Sequence, residues 1–246
     1  MLFNSVDFLI FFPIVTLIYF VIPHRVRYLW LLVCSYYFYM CWNAAYALLL
    51  FASTFITWLS GLAIDEYRRK GDENSKLQCQ GMVAISFTLN LAILMVFKYT
   101  GFIIGNLNLL FGKIGIVFAL PEFSLLLPVG ISFYIFQALS YTMDVYRGDV
   151  PVERNLLRYA VFVSFFPQLV AGPIERSSRL LEQFYKKIEF DYDRAARGLL
   201  LMLWGYFQKM VIADRLAVFV SQVFDHYTYY TGLPILVACV FFAFQI

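Results

Sequence analysis

The chain has 246 residues, of which 62% are hydrophobic and only 14% charged, and its formal net charge is +3 at pH 7. A soluble domain is about half apolar and about a quarter charged, so the composition excludes an ordinary soluble domain and indicates a polytopic membrane protein. The small and dispersed positive charge also excludes a nucleic-acid-binding surface.

The first predicted element is an apolar helix at about 6–22. No positively charged region precedes it and no small-residue cleavage site follows it, so we expect a retained membrane helix rather than a cleaved signal peptide. Further apolar runs follow at about 29–42, 44–64, 81–97, 127–145, 198–220 and 232–246. Residues 98–126 mix apolar residues with Gly, Asn and Pro and are predicted as interfacial helix and loop. The expected fold is all-α, one polytopic transmembrane helical bundle over residues 1–246.

Lysine and arginine in the loops predict the orientation of the bundle. The loops at 23–28, 65–80 and 146–158 carry two, four and three of them, and residues 175–197 carry six. An N-terminus outside the cytoplasm places all these basic loops inside. The opposite orientation would place only Lys98 and Lys113 there. This assumes that the segment before residue 175 enters and leaves the membrane on one side.

Polar side chains follow one face of the helix predicted at 127–145. They are Gly130, Tyr134, Gln137, Tyr141 and Asp144. Their spacing by three and four positions puts them on one side of a helix, which should face the bundle interior or a hydrated cavity. Either they line a functional cavity or they hydrogen-bond to neighbouring helices. Asp144 lies one turn from Arg147, and we expect these two to pair at the cytoplasmic end.

The next segment, at about 162–174, interrupts an apolar run with two prolines and a glycine. Backbone that is not helical survives at membrane depth only when it is packed in protein or lines a cavity, so a re-entrant or broken element is predicted. It should place Gln168, Gly172 and Pro173 at the break. Arg176 and Arg179 follow, three positions apart. They are candidates for binding a phosphorylated ligand or for contacting lipid headgroups.

The helix predicted at 198–220 contains charged residues within an apolar run. Lys209 is a functional candidate, because ionisable residues inside the membrane are costly. Asp214 is five positions further on, which is poor spacing for a direct pair on an α-helix. Either the helix is broken there or the bilayer ends near Lys209.

The sequence shows no complete catalytic apparatus. His24 lies in a basic loop and His226 in the polar loop DHYTYYTG, and both are predicted as exposed loop residues. The four cysteines form no CxxC pair, so we expect packing residues and no metal site. No nucleophile, zinc or phosphate-loop motif stands in a supporting context. We assign no catalytic residue.

Four segments, in this order, resemble the membrane-bound O-acyltransferase (MBOAT) family. They are MLFNSVDFLIFFPIV, LPVGISFYIFQALSYTMDVYRG, FFPQLVAGPIERSSRLLEQF and GYFQKMVIADRLA. The resemblance is to the bacterial alginate O-acetylation and D-alanyl transfer branch, and it covers nearly the whole chain. The motifs SYTMDVYRG and AGPIERS favour the polysaccharide-acetylating type.

The resemblance implies a bacterial inner-membrane protein that handles an acyl group from a cytoplasmic donor. The donor would be acetyl-coenzyme A or another acyl thioester, with no bound cofactor. A partner acetyltransferase protein would complete the transfer to an exported polysaccharide such as alginate. Arg176 and Arg179 would then lie on the donor side. The cavity would be lined by Tyr134, Gln137, Tyr141, Gln168, Gly172 and Pro173, with Lys209 a further candidate.

The chain departs from the family in one respect. The resemblance places the family's catalytic histidine in a C-terminal region that has no counterpart before Ile246. We therefore expect an N-terminal part of such an enzyme, poorly stable and inactive alone. The alternatives are a non-catalytic membrane scaffold fragment, or a transporter whose broken helix forms a substrate site.

Overall fold

The computed structural model describes residues 1–114, 128–170 and 172–246. Of these residues 81% are helical and none is in a strand, so the predicted all-α class is confirmed. The chain divides into two compact units, Met1–Lys187 and Ile188–Ile246.

The first unit contains nine α-helices within the described ranges. They are α1 (Val6–Val21), α2 (Arg27–Met40), α3 (Tyr46–Lys70), α4 (Ser75–Leu94), α5 (Thr100–Ile114), α6 (Ile131–Arg147), α7 (Leu156–Ser164), α8 (Phe166–Leu169) and α9 (Ser177–Tyr185). A short 3₁₀ turn, His24–Val26, precedes α2, and a π-helical turn, Met95–Tyr99, joins α4 to α5.

The second unit contains α10 (Tyr192–Phe207), α11 (Asp214–Asp225) and α12 (Leu233–Gln245). A π-helical turn, Gln208–Ala213, joins α10 to α11. Helices α11 and α12 pack against each other through Val220, Val223 and Ala238, which are all buried.

Local sequence explains several helix ends. The hydroxyl of Ser5 accepts the Phe8 N–H at 3.3 Å and begins α1, and Gly71 ends α3 with a φ of 64° that glycine adopts without strain. Asp191 accepts the Arg194 N–H at 3.0 Å and begins α10. This hydrogen bond stabilises the carboxylate and lowers the pKa of Asp191 below its ordinary value.

Small polar side chains fill the contact between α3, α4 and α6. The buried ones are Ser53, Thr54, Thr57, Ser60, Ser86, Asn90 and Thr142. Ser53 donates to the Asn90 Oδ1 at 2.5 Å across α3 and α4, and the Ser86 and Thr142 hydroxyls lie 3.3 Å apart across α4 and α6. Small residues allow close approach of helices and their hydrogen bonds hold apolar helices together, as is typical within membranes.

Within the described ranges, two helical stretches are long and apolar enough to cross a membrane, Tyr46–Lys70 and Ser75–Ile114. In the second stretch, 98–114 continues the helix of α4 through the π-helical turn, in the segment predicted as interfacial helix and loop. The remainder of the predicted loop, and the first residue of the span predicted at 127–145, lie outside the described residues. Helix α6 itself begins only at Ile131, after a turn at Pro128 and Gly130.

Candidate functional site

The predicted break at 162–174 is present. Helix α7 ends at Ser164, Phe165 has a ψ of 111° that interrupts the helix, and the single turn α8 follows. In an uninterrupted helix the Phe162 carbonyl would accept the N–H of residue 166. Here the Phe166 N–H donates instead to the Ser35 hydroxyl at 3.2 Å. The break therefore frees a buried carbonyl at Phe162.

Two glutamine side chains donate hydrogen bonds to the freed carbonyl oxygen. Gln137 on α6 donates to the Phe162 oxygen at 2.7 Å, and Gln168 on α8 donates to the same oxygen at 3.1 Å. Both side chains are buried, with exposed fractions of 4% and 7%. The structure thus joins two residues that the sequence analysis placed in separate segments.

Two glycines let the backbone of α8 approach its neighbours. Gly130 has a φ of 74°, and a Cβ added there would lie 2.2 Å from the Leu169 carbonyl oxygen. A Cβ on Gly172 would lie 2.4 Å from the Gln168 Cα. Neither position has space for a larger residue. Pro173, next to Gly172, is exposed.

The tyrosines of the α6 stripe are buried in the bundle. The Tyr141 hydroxyl accepts the Glu153 N–H at 2.9 Å, and its ring lies 4.5 Å from that of Tyr159. The Tyr134 ring meets Tyr39 edge-on at 6.3 Å. Among the described residues, the hydroxyls of Tyr134 and Tyr39 are buried without a hydrogen-bond partner. A cavity-lining role for these residues stays a prediction.

Arg176 and Arg179 are exposed, on either side of the buried Ser177. Ser177 donates to the Asp144 Oδ2 at 2.6 Å and joins α9 to α6. The expected pairing of Asp144 with Arg147 is therefore wrong, because the break at α8 brings the start of α9 onto the end of α6.

Glu153 was missed by the sequence reasoning. It lies in a polar loop between Val152 and Arg154, where a solvated carboxylate is the usual outcome, yet only 5% of it is exposed. Its carboxylate accepts the Asn155 N–H at 2.8 Å and the Tyr185 hydroxyl at 2.5 Å, and its carbonyl accepts the Trp58 indole N–H at 2.9 Å. Burial raises the pKa of Tyr185, and the hydrogen bond to Glu153 raises it further.

Lys209 lies in the second unit, in the π-helical turn Gln208–Ala213. It pairs with Asp214 at 2.6 Å, so the expectation that these residues are poorly placed for a direct pair is wrong. Residues five apart are about 140° apart on an α-helix, but the wider π-helix brings them to one side. The helix is not broken there.

His24 and His226 are both outside the long helices, and no cluster of metal-ligating residues occurs in the part of the chain that the structure describes. His226 is exposed, as predicted. His24 is only half-exposed, and its Nε2 lies 3.1 Å from the Tyr185 carbonyl oxygen. The expectation of an exposed loop histidine is therefore wrong for His24.

Comparison with known proteins finds bacterial relatives along nearly the whole chain. A probable alginate O-acetylase, AlgI, of Pseudomonas putida is 37% identical over 227 residues, which are 91% of this chain and 45% of that protein. The probable AlgI of Azotobacter vinelandii is 37% identical over 88% of this chain, and a peptidoglycan O-acetyltransferase of Helicobacter pylori is 31% identical over 100% of this chain and 51% of that protein. No protein-family model and no solved structure matches the chain.

The chain spans about half the length of the curated relatives that it matches, between 42% and 51% for these three proteins. The identity with them confirms the resemblance that the sequence motifs indicated.

Proposed function

We propose, from its kinship with the bacterial O-acetylases of the membrane-bound O-acyltransferase family, that this chain acts in the O-acetylation of an exported polysaccharide. The observation that carries the proposal is the 37% identity over 91% of the chain with a probable alginate O-acetylase. The second type of relative is named for peptidoglycan, which is also a polymer bearing sugar hydroxyls. Alginate is the acceptor that we favour, because the identity is higher with the alginate O-acetylases.

The proposed chemistry moves an acetyl group from a thioester, such as acetyl-coenzyme A, to a sugar hydroxyl. In the net reaction the carbon–sulfur bond of the thioester breaks, the carbonyl carbon forms an ester bond with the sugar oxygen, and the hydroxyl proton ends on the free thiol. A partner acetyltransferase protein completes the transfer outside the cytoplasm. We assign no catalytic residue, and the chain needs no bound cofactor in this scheme.

In this scheme, residues of the chain would bind the acetyl donor and shape the path of the acetyl group. Arg176 and Arg179 are exposed cations beside the broken element, suited to donor phosphates or to lipid headgroups. Gln137 and Gln168 hold the break at Phe162, and Tyr134 and Tyr141 extend along α6 from it. Gly172 and Pro173 shape the exit from α8, and Lys209, in the second unit, is a further candidate for binding.

We propose that the chain is a multi-pass protein of the bacterial inner membrane with its N-terminus outside the cytoplasm. The two apolar helices of spanning length support a membrane location, and the basic loops support the orientation. Membrane lipid then surrounds the exposed apolar residues of both units.

Deletion of the gene in its own host tests the function. We expect the exported polysaccharide to lose its O-acetyl esters, measured by proton NMR and by ester hydrolysis, while the amount of polymer stays the same. Re-expression of the deleted gene should restore the esters, and the same gene with the double variant Gln137→Leu/Gln168→Leu should restore fewer.

Unchanged ester content after deletion would contradict the proposal. A fall in the amount of exported polymer at normal ester content would instead favour transport, the function suggested by a broken membrane helix. Gly105→Ala is the matched control, because a Cβ there meets nothing within 4 Å. It should restore the esters as fully as the unaltered chain.

A further inference from the structure

A cluster of basic and aromatic side chains lies away from the glutamines, where α2, α7 and α9 meet the turn at His24. The Arg158 guanidinium carbon lies 3.9 Å from the centre of the Tyr185 ring and 4.9 Å from that of Tyr28. His24 contacts the Tyr185 carbonyl through Nε2 at 3.1 Å. Arg158 and His24 therefore flank the same residue, one at its ring and the other at its backbone.

Two nitrogen atoms of this cluster are buried without a hydrogen-bond partner in the part of the chain that the structure describes. They are the Arg158 Nε and the His24 Nδ1. An unpaired buried donor on a charged group is costly, and such groups in a native fold call for an unseen partner. The two atoms therefore lack hydrogen-bond partners that a ligand can supply.

The buried Glu153 carboxylate and Arg158 both contact Tyr185 but do not pair with each other. Glu153 accepts the Tyr185 hydroxyl and the Asn155 N–H, and no ion pair joins it to Arg158 among the described residues. Arg25, an exposed cation, follows His24 in the chain, whereas Lys186, which follows Tyr185, forms an ion pair with Glu182 at 2.9 Å. The surroundings therefore favour an anion.

The donor and acceptor roles of the two atoms limit the chemical class of the anion that fits them. A carbonyl only accepts, so His24 must donate from Nε2, and a neutral ring then has a bare Nδ1 that accepts. Arg158 Nε–H donates. A phosphate monoester has a second pKa of about 6 and supplies both partners, an ionised oxygen for arginine and, in its monoanion, an O–H for histidine.

We propose that the His24–Arg158 cluster binds a phosphomonoester group. The group can belong to a soluble nucleotide-like molecule or to a membrane lipid, and both present the same chemistry. Both nitrogens are covered in this structure, so binding requires movement of a covering side chain. Tyr28 is half-buried and is the more distant of the two aromatic walls. This site goes beyond the proposed acetylation and does not require it.

Binding to the purified chain in a phosphate-free maltoside detergent tests the site. The soluble probes are coenzyme A, which carries a phosphomonoester, and dephospho-coenzyme A, which lacks it. The lipid probes are nanodiscs containing phosphatidic acid, a phosphomonoester, or phosphatidylglycerol, a phosphodiester. We expect one monoester of the two pairs to bind at least about tenfold more tightly than its matched partner, as one charge-assisted hydrogen bond would give. The pair that shows the difference identifies the source of the group.

Variants distinguish binding at this cluster from general electrostatic attraction between the protein and an anion. Arg158→Gln should lower the affinity for the monoester by about tenfold, and Arg158→Lys by less, because lysine keeps the charge without the guanidinium fork. His24→Gln keeps a donor for the Tyr185 carbonyl and removes the ring nitrogen, so it tests the site even if Arg158→Gln does not fold. Arg197→Gln changes an exposed arginine on α10 to which no binding role is assigned, and it should leave affinity unchanged.

Two results would overturn the proposal. The first is equal binding of monoester and matched partner in both pairs. The second is a loss of affinity in Arg197→Gln as large as that in Arg158→Gln or His24→Gln. Loss of acetylation in the host has no bearing on either result, so the two proposals fail separately.

Discussion

At the scale of single residues, one carbonyl explains why two glutamines are buried. The Phe162 oxygen loses its helical partner at the Phe165 break and accepts Gln137 and Gln168 instead. A buried carbonyl without a donor costs about 1–3 kcal/mol, so the glutamines make the break tolerable inside the bundle. Gln137, one member of the polar stripe on α6, therefore serves as a hydrogen-bond donor between helices.

The two glutamines should show strong coupling. Gln137→Leu and Gln168→Leu should each destabilise the chain by about 0.5–1.5 kcal/mol, because the carbonyl keeps one donor. The double variant should cost more than the sum, because the carbonyl is then unpaired. The free energy of unfolding in detergent, measured for all four forms, gives the coupling. Additivity within about 0.5 kcal/mol would contradict the shared acceptor. Gln78→Leu, at an exposed helix position, is the control.

Gly130 should tolerate no side chain. Gly130→Ala combines a φ of 74° with a Cβ that would lie 2.2 Å from the Leu169 oxygen. We expect a loss of stability of about 2 kcal/mol or more, seen as a lower unfolding temperature. Gly105→Ala, within the helix α5 and with open space around it, should be neutral or slightly stabilising. Equal effects of the two changes would rule out the close approach of α8 to α6.

At the scale of elements, the two π-helical turns each carry a lysine within an apolar stretch. Lys98 donates to the Ser132 hydroxyl at 3.3 Å, and Lys209 pairs with Asp214 at 2.6 Å. Widening the helix brings Lys209 to Asp214, five positions on, which lies on another side of a regular α-helix. The polar partner reduces the cost of a charge at membrane depth, where an unpaired one costs about 2.5–3.5 kcal/mol.

The Lys209–Asp214 pair should be less harmful to the stability of the protein when both members are present or both are replaced than when only one is replaced. Asp214→Leu leaves Lys209 unpaired and should reduce the yield of monodisperse protein extracted from membranes. The double variant Lys209→Leu/Asp214→Leu should recover much of that yield. Size-exclusion chromatography of the extracted protein measures both. A double variant no better than Asp214→Leu would show that the pair has no such role. Asp225→Leu, at the exposed end of α11, controls for the loss of a carboxylate alone.

At the scale of the whole molecule, the polar contacts lie inside the first unit and the apolar surface lies outside. The contact between α3, α4 and α6 is built from serine, threonine and asparagine, while residues such as Leu48, Phe102 and Leu109 are exposed. This distribution suits lipid rather than water as the surrounding medium. In the second unit Leu199, Leu201 and Phe244 are exposed in the same way.

The predicted orientation can be tested by labelling in intact cells. Cys41 is exposed in the connection that is expected outside the cytoplasm, and Asp72 lies in a basic loop expected inside. With the other cysteines replaced, a membrane-impermeant maleimide should label Cys41 without lysis. In a Cys41→Ser background, Asp72→Cys should react only after lysis. The reverse pattern would invert the orientation, and equal labelling in both would show that neither connection is protected by a membrane.

The sequence by itself determined the helical class, the apolar runs, the break near residue 165 and the kinship with bacterial O-acetylases. These follow from composition, proline and glycine positions, and motif identity, which are all local. Only the tertiary structure decided that Gln137 and Gln168 share one carbonyl, that Asp144 bonds Ser177, and that Glu153 is buried. The structure also paired Lys209 with Asp214. Hydrogen bonds between distant segments depend on how helices pack, and a π-helical turn changes which residues share a face, so spacing along the chain could not predict them.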